Sequence, residues 1–202
     1  MKMKMNHYRA KLLNAILYFC ANTKRCNTTK LLKLLSFLDF AHFKQTGYPS
    51  LGFLYYAWKH GPVPKDFYEE IKGGNVPSDF IDKFVAIPQD WGAEYPEIKE
   101  FVYKVKAKAQ ADTSIFTPRE MKIMELLCDI YRDATANQMS EVTHLHNSPW
   151  DTTVKNKGLH QPIDYLLCID DESPLNKEEA EIKLREHFEM LENFGLMPTE
   201  KE

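Results

Sequence analysis

Few residues in this chain have the types and spacing that chemistry needs. Seven histidines stand at positions 7, 42, 60, 144, 146, 160 and 187, and only His144 and His146 are close neighbours. An H-x-H pair on an extended segment can ligate a metal, with Asp151 or Cys168 as a third ligand. Two histidines at a helix end also meet the carbonyl dipole favourably without any metal, and this is the reading we adopt. The cysteines Cys20, Cys26, Cys128 and Cys168 form no CxxC and bracket no zinc site. A nucleophilic cysteine needs a base and an activating environment. Cys128 instead sits on an apolar helical stripe and Cys168 follows Leu166-Leu167, where burial makes a thiol inert. Phosphate loops, GxGxxG, HExxH and GxSxG are all absent. We therefore expect no catalytic residues, no metal, no cofactor and no enzyme.

Two patterns remain. Lys104, Lys106 and Lys108 alternate with Tyr103, Val105 and Ala107, presenting one basic face of a strand. That face could track phosphates, with Tyr103 and Trp91 to stack bases, and a nucleic-acid module is the alternative it leaves open. Lysines on an edge strand also prevent edge-to-edge pairing, which is the role expected here. The second pattern is aromatic: Tyr55, Tyr56, Trp58, His60, Phe67 and Tyr68 surround the Gly61-Pro62 turn. Trp and Tyr commonly anchor protein interfaces, so a binding surface at this turn competes with plain core packing.

Length and composition set the frame for these residues. The chain has 202 residues, 44% hydrophobic and 27% charged, which suits one substantial folded core and excludes collagen-like, disordered and disulfide-scaffold classes. Its net charge is −3, too bland for nucleic-acid binding over the whole surface. The charge is uneven: eleven acids and four bases from Asp170 onward give −7, leaving +4 on the first 169 residues. Lys2 and Lys4 before the run Leu12 to Ala21 imitate a signal peptide, but Asn14 interrupts it and Arg9 and Lys11 press against it. Tyr8, Leu12, Leu13, Ile16, Leu17 and Cys20 fall on a helical stripe, so a core helix in a cytoplasmic protein is expected. No stretch approaches the ~20 apolar residues of a membrane span.

The elements that must position the candidate residues are mostly helical. Helices are expected from about Asn6 to Ala21, and from a cap at Asn27 or Thr28 to a stop at Gly47, the second one central to the core through Leu31, Leu34, Leu35, Phe37, Leu38 and Ala41. Leu54–Lys59 reads as a strand, His60–Pro64 as an extended turn, and Lys65–Lys72 as a helix closed by Gly73-Gly74. The alternating strand at 101–107 pairs with Leu54–Lys59 or with the segment Phe84–Ile87. Thr117-Pro118-Arg119-Glu120 and Thr135-Ala136-Asn137-Gln138 are capping boxes that open two helices. Ser148-Pro149-Trp150 begins an irregular stretch. A last helix starts after Asn176, with Glu179 in its capping position, and stops at Gly195 with Pro198 beyond. The fold class is mainly α (α+β), one domain with a small antiparallel sheet of two to three strands.

The order of these motifs resembles a known family. Thr29-Lys30-Leu31-Leu32-Lys33-Leu34-Leu35-Ser36-Phe37-Leu38 resembles the T-x-L-K-L-x-K-L-L-Y helix of the Panacea domain, also called the SocA-like antitoxin domain. Its Gly-x-Pro turn corresponds to Gly47-Tyr48-Pro49. Its AWxxGPV segment corresponds to Ala57-Trp58-Lys59-His60-Gly61-Pro62-Val63, and Tyr68 follows on the short helix. Downstream, the leucine-rich helix, the (S/T)H pair and the PW dipeptide correspond to Met121–Tyr131, Thr143-His144 and Pro149-Trp150. The motifs run over about residues 6 to 165; the stretch 73–98 and the acidic helix at 176–195 have no counterpart.

The resemblance implies a mostly helical, non-enzymatic bacterial or phage domain. Such a domain is the antitoxin of a toxin–antitoxin pair, neutralising a co-encoded protein toxin by masking it or by presenting it to a cellular protease. The partner contacts implied are the exposed parts of Trp58, His60, Thr143, His144 and Trp150, with Gly61 and Pro62 shaping the turn. A basic toxin would meet the acidic helix, Glu178 to Glu192.

Overall fold

Two asparagines start the helical core. In the computed structural model, which describes residues 6–89 and 102–194, Asn6 accepts from the Arg9 amide and opens α1 (His7–Asn22). Asn27 accepts from the Lys30 amide and opens α2 (Thr28–Thr46), which ends where Gly47 turns left-handed at φ 78°. α2 is the axis of the molecule. Leu31, Leu34, Leu35 and Leu38 pack with Leu12, Leu13, Ile16 and Leu17 of α1 and with Ile123, Met124 and Leu127 of α4 (Pro118–Tyr131) in one buried cluster.

The aromatic segment forms a hairpin. β1 (Tyr55–Trp58) pairs antiparallel with β2 (Gly61–Pro64), so the stretch expected as an extended turn is a strand. Its prolines are tolerated for a geometric reason. Pro62 and Pro64 face Ala57 and Tyr55, whose backbone groups point away from β2: the Ala57 amide donates to Gln161 O, and its carbonyl accepts from His160. A proline there costs no ladder bond. The hairpin leads into α3 (Lys65–Ile71).

A second, separate two-stranded sheet pairs β3 (Phe84–Gln89) with β4 (Val102–Ala107), with Ile87 opposite Lys104. The alternation holds: Val105 is buried while Lys104, Lys106 and Lys108 are exposed. The other edge of β4 is met by the α1–α2 connector, through the Val105 amide on Cys26 O at 2.8 Å. Trp91 and Phe101 lie outside the described residues.

Both expected capping boxes form, Thr117 with Glu120 at α4 and Thr135 with Gln138 at α5 (Ala136–Thr143). The stretch read as irregular after Ser148 is instead a helix, α6 (Pro149–Lys157). Ser148 accepts from the Asp151 amide and Pro149 takes the first helical position, the usual opening of a helix. α7 (Lys177–Asn193) opens on the box Asn176/Glu179 and packs Ala180, His187 and Leu191 inward; the expected stop at Gly195 and Pro198 lies outside the described residues. Among the described residues no helix is long and apolar enough to cross a membrane. The class is mainly α, with two small antiparallel sheets.

Candidate partner-binding site

Polar side chains recur at every third position of α2 (Lys30, Lys33, Ser36 and Asp39), and all four are buried. A spacing of three moves each residue about 60° back around the helix, so the four wind from one face to the opposite one. Lys30 Nζ donates to the carbonyls of Lys24, Tyr131 and Ala134 at 2.7–2.8 Å. It thereby satisfies the free carbonyls at the end of α4, where a cation is favoured. Asp39 accepts from the Leu51 amide at 2.5 Å and from the Tyr55 hydroxyl at 2.9 Å. Burial nevertheless pushes its carboxyl up to about 6.

Lys33 organises the candidate site. Its ammonium donates to the His60 carbonyl and to Thr143 Oγ1 at 3.3 Å, joining α2 to the β1–β2 turn and to the end of α5. Among the described residues no carboxylate lies within ion-pair distance of it, and burial pushes its pKa down to about 8. Gly61 is required where the lysine passes. Its φ is 125°, and a Cβ would land on the Lys33 ammonium and 2.8 Å from Thr143 Oγ1.

His144 caps the C-terminus of α5, and its ring stacks on Trp150 of α6 with centroids 3.8 Å apart and planes inclined by 18°. The Trp150 indole donates to the Trp58 carbonyl at 2.8 Å, and Trp58 meets Tyr68 edge-on at 5.0 Å. Ser148 ties the two helices, its hydroxyl donating to Thr143 O at 2.8 Å. The His144 Nε2 is buried and has no hydrogen-bond partner among the described residues. Burial first, then the nearby Lys33 and His60, push the His144 pKa down, which favours the uncharged ring. His144 thus stands at a helix end, as the sequence suggested, and its ring packs on Trp150.

The tertiary structure thus brings all seven sequence-derived residues into one place. His60 is exposed, Trp58, His144 and Trp150 are half-buried, and Gly61 and Pro62 are buried in the turn. Thr143 is 4% exposed and engaged internally with Lys33, which makes it a positioning residue and not a surface contact. Beside them opens a cleft of about 470 Å³ lined by Phe37, Phe40, Leu127, Tyr131, Leu145 and Trp150. Leu145, Leu126 and Ile130 stand 57–60% exposed.

The metal alternative loses its ligands in this arrangement. His144 turns onto Trp150, His146 is exposed, and Asp151 is held by the Asn147 amide and Lys155. Among the described residues no group of three or more His, Cys, Asp or Glu side chains could hold a metal ion.

Sequence reasoning missed Lys30, Lys33 and Asp39. The trace was present, because charged residues three apart on a leucine-rich helix must be buried and hydrogen-bonded. A family model described as "Antitoxin SocA-like, Panacea domain" matches residues 31–151, which hold Lys33, Ser36 and Asp39 of α2, the hairpin and α4 to the start of α6. No curated protein and no solved structure matches the chain.

Proposed function

The chain belongs to the SocA-like, Panacea-domain antitoxin family, and from that membership we propose that it is the antitoxin of a toxin–antitoxin pair and neutralises a co-encoded protein toxin by direct binding. Masking the toxin's working surface or presenting it to a protease are the two routes by which binding would neutralise. The partner-facing residues in this reading are Trp58, His60, His144 and Trp150, with Gly61, Pro62 and Thr143 holding their geometry.

One observation carries the reading. Motifs separated by about ninety residues are joined by the Trp150–Trp58 hydrogen bond and the His144–Trp150 stack into one half-exposed aromatic surface beside an apolar cleft. Half-buried Trp residues at the rim of an apolar depression suit anchoring by a protein partner.

The test is co-expression with the open reading frames that neighbour the gene, scored as host growth. A neighbour that is lethal alone and harmless with this protein supports the proposal; absence of any toxic neighbour overturns it. His60→Glu then probes the surface. The His60 side chain is exposed and only its carbonyl holds Lys33, so the fold should survive while rescue and co-purification are lost.

A further inference from the structure

Cys20, at the end of α1, and Cys26, just before α2, are separated by a six-residue step in sequence, and their Sγ atoms lie 3.4 Å apart as free thiols. Neither takes part in the surface described above. We propose that this pair is a thiol-modification site: hydrogen peroxide oxidises Cys26, and Cys20 resolves the product to an intramolecular disulfide.

Three features set this pair apart from the other thiols. The first is proximity: with sulfurs already in hydrogen-bond contact, closure to a bond of ~2.05 Å asks the connector to move by little more than an ångström. The second is access. Both cysteines line a cleft of about 420 Å³, shared with Lys24, Arg25, Lys104 and Lys106; Cys20 is half-buried and Cys26 buried, so an oxidant has to enter through that basic cleft. The third is polarity of the pair. Cys20 and Cys26 share one hydrogen bond, which favours the Cys26 thiolate and holds the Cys20 proton in place; burial of Cys26 opposes this, while the Thr23 hydroxyl and the Lys30 ammonium act with the hydrogen bond. By contrast, burial pushes Cys128 up to about 12 and raises Cys168 further, leaving both inert.

The chemistry balances in two steps. The Cys26 thiolate attacks one peroxide oxygen; an S–O bond forms, the O–O bond breaks, and the departing hydroxide takes a proton to become water. Cys20 then gives up its proton and its sulfur attacks the Cys26 sulfur. The S–S bond forms, the S–O bond breaks, and the second hydroxide leaves as water. Two thiols lose two electrons and one peroxide becomes two waters.

The disulfide would sit in a connector that already holds other elements. Lys24 O accepts from Lys30, and Cys26 O accepts from the Val105 amide of β4. Oxidation therefore acts where α1, α2, α4 and β4 meet.

The experiment treats the full reduced chain with hydrogen peroxide and maps tryptic peptides without reductant. Cleavage after Lys24 and Arg25 places Cys20 and Cys26 on different peptides, so only a disulfide joins them. The expected result is that cross-link, at roughly ten-fold or more over any pairing with Cys128 or Cys168. Cys20→Ser should halt the reaction at a Cys26 sulfenic acid that dimedone traps. The proposal is overturned if the wild-type map shows no cross-link, if disulfides form only between chains, or if Cys128 or Cys168 oxidises as fast. The wild-type map decides the matter whether or not the serine variant folds.

Discussion

Lys33 and Asp39 are ionisable groups held out of water with no counter-ion among the described residues, and such groups tie stability to pH in opposite directions. The Lys33 pKa falls from its ordinary 10.5 to about 8, so between those values the unfolded chain binds more protons than the folded one. Stability contributed at this site is absent below about 8 and rises with pH through the window, by about 3 kcal/mol in all. The Asp39 pKa rises from 3.8 to about 6, so its contribution is present below about 4 and lost as pH climbs through 6. Lys33→Met should remove the alkaline rise. Urea unfolding of both proteins at pH 7.5 and pH 10 checks it through the difference between them, which cancels the other groups that titrate there. A difference that does not change with pH would show that the ammonium is hydrated. Burying two such groups on the helix that centres the fold is costly, and both are used to position backbone: Lys33 the His60 turn, Asp39 the segment from Leu51 to Tyr55.

At the scale of elements, the site depends on the junction of α5 with α6. Ser148 performs two tasks with one hydroxyl, accepting from the Asp151 amide to start α6 and donating to the Thr143 carbonyl at the end of α5. Together these hold Trp150 under His144. Ser148→Ala should cost about 1–2 kcal/mol, the upper part of the range for a lost cap, because a half-buried carbonyl also loses its donor. The urea midpoint measures the loss. Near-ultraviolet circular dichroism should report the loosened His144–Trp150 stack; an unchanged midpoint and spectrum would mean that Pro149 alone sets the helix start. The hairpin follows similar logic, since its prolines occupy the positions where β1 turns its hydrogen bonds toward residues 160–163.

For the whole molecule, charge and packing part company at α7. Its inner side is built into the fold: Lys183 donates to Thr46 O at 3.3 Å and lies over the Tyr48 ring, and His187 meets Tyr8 and Tyr48 edge-on. Deleting α7 would therefore disturb the end of α2. Its outer side carries exposed Glu178, Glu181 and Glu186. If a basic toxin approaches this side, changing all three to Gln should leave unfolding within about 0.5 kcal/mol and slow association at low salt by about ten-fold. Stopped-flow rates across a salt series measure this. Equal rates and equal salt slopes for the two proteins would move the encounter surface elsewhere.

Much of this protein was determined by local sequence. Asn27, Thr117, Thr135 and Asn176 cap their helices because a side-chain oxygen next to free amides needs no tertiary help. The basic strand alternates because a strand has a period of two. Ser148-Pro149 carries the same local grammar, a cap followed by proline at the first helical position, so α6 is legible there too. The family motifs placed Trp58, His60, Gly61, Thr143, His144 and Trp150 along the chain, but not beside one another. Only the tertiary structure decided that. The Lys33 ammonium became a pin when the packed chain closed over its part of α2, since a buried donor must find acceptors and the nearest were the His60 carbonyl and Thr143. The lowered pKa of His144, the burial of Thr143 and the contact of Cys20 with Cys26 follow in the same way. Each depends on which segments exclude water from a given side chain, a property of the packed chain and not of any window within it.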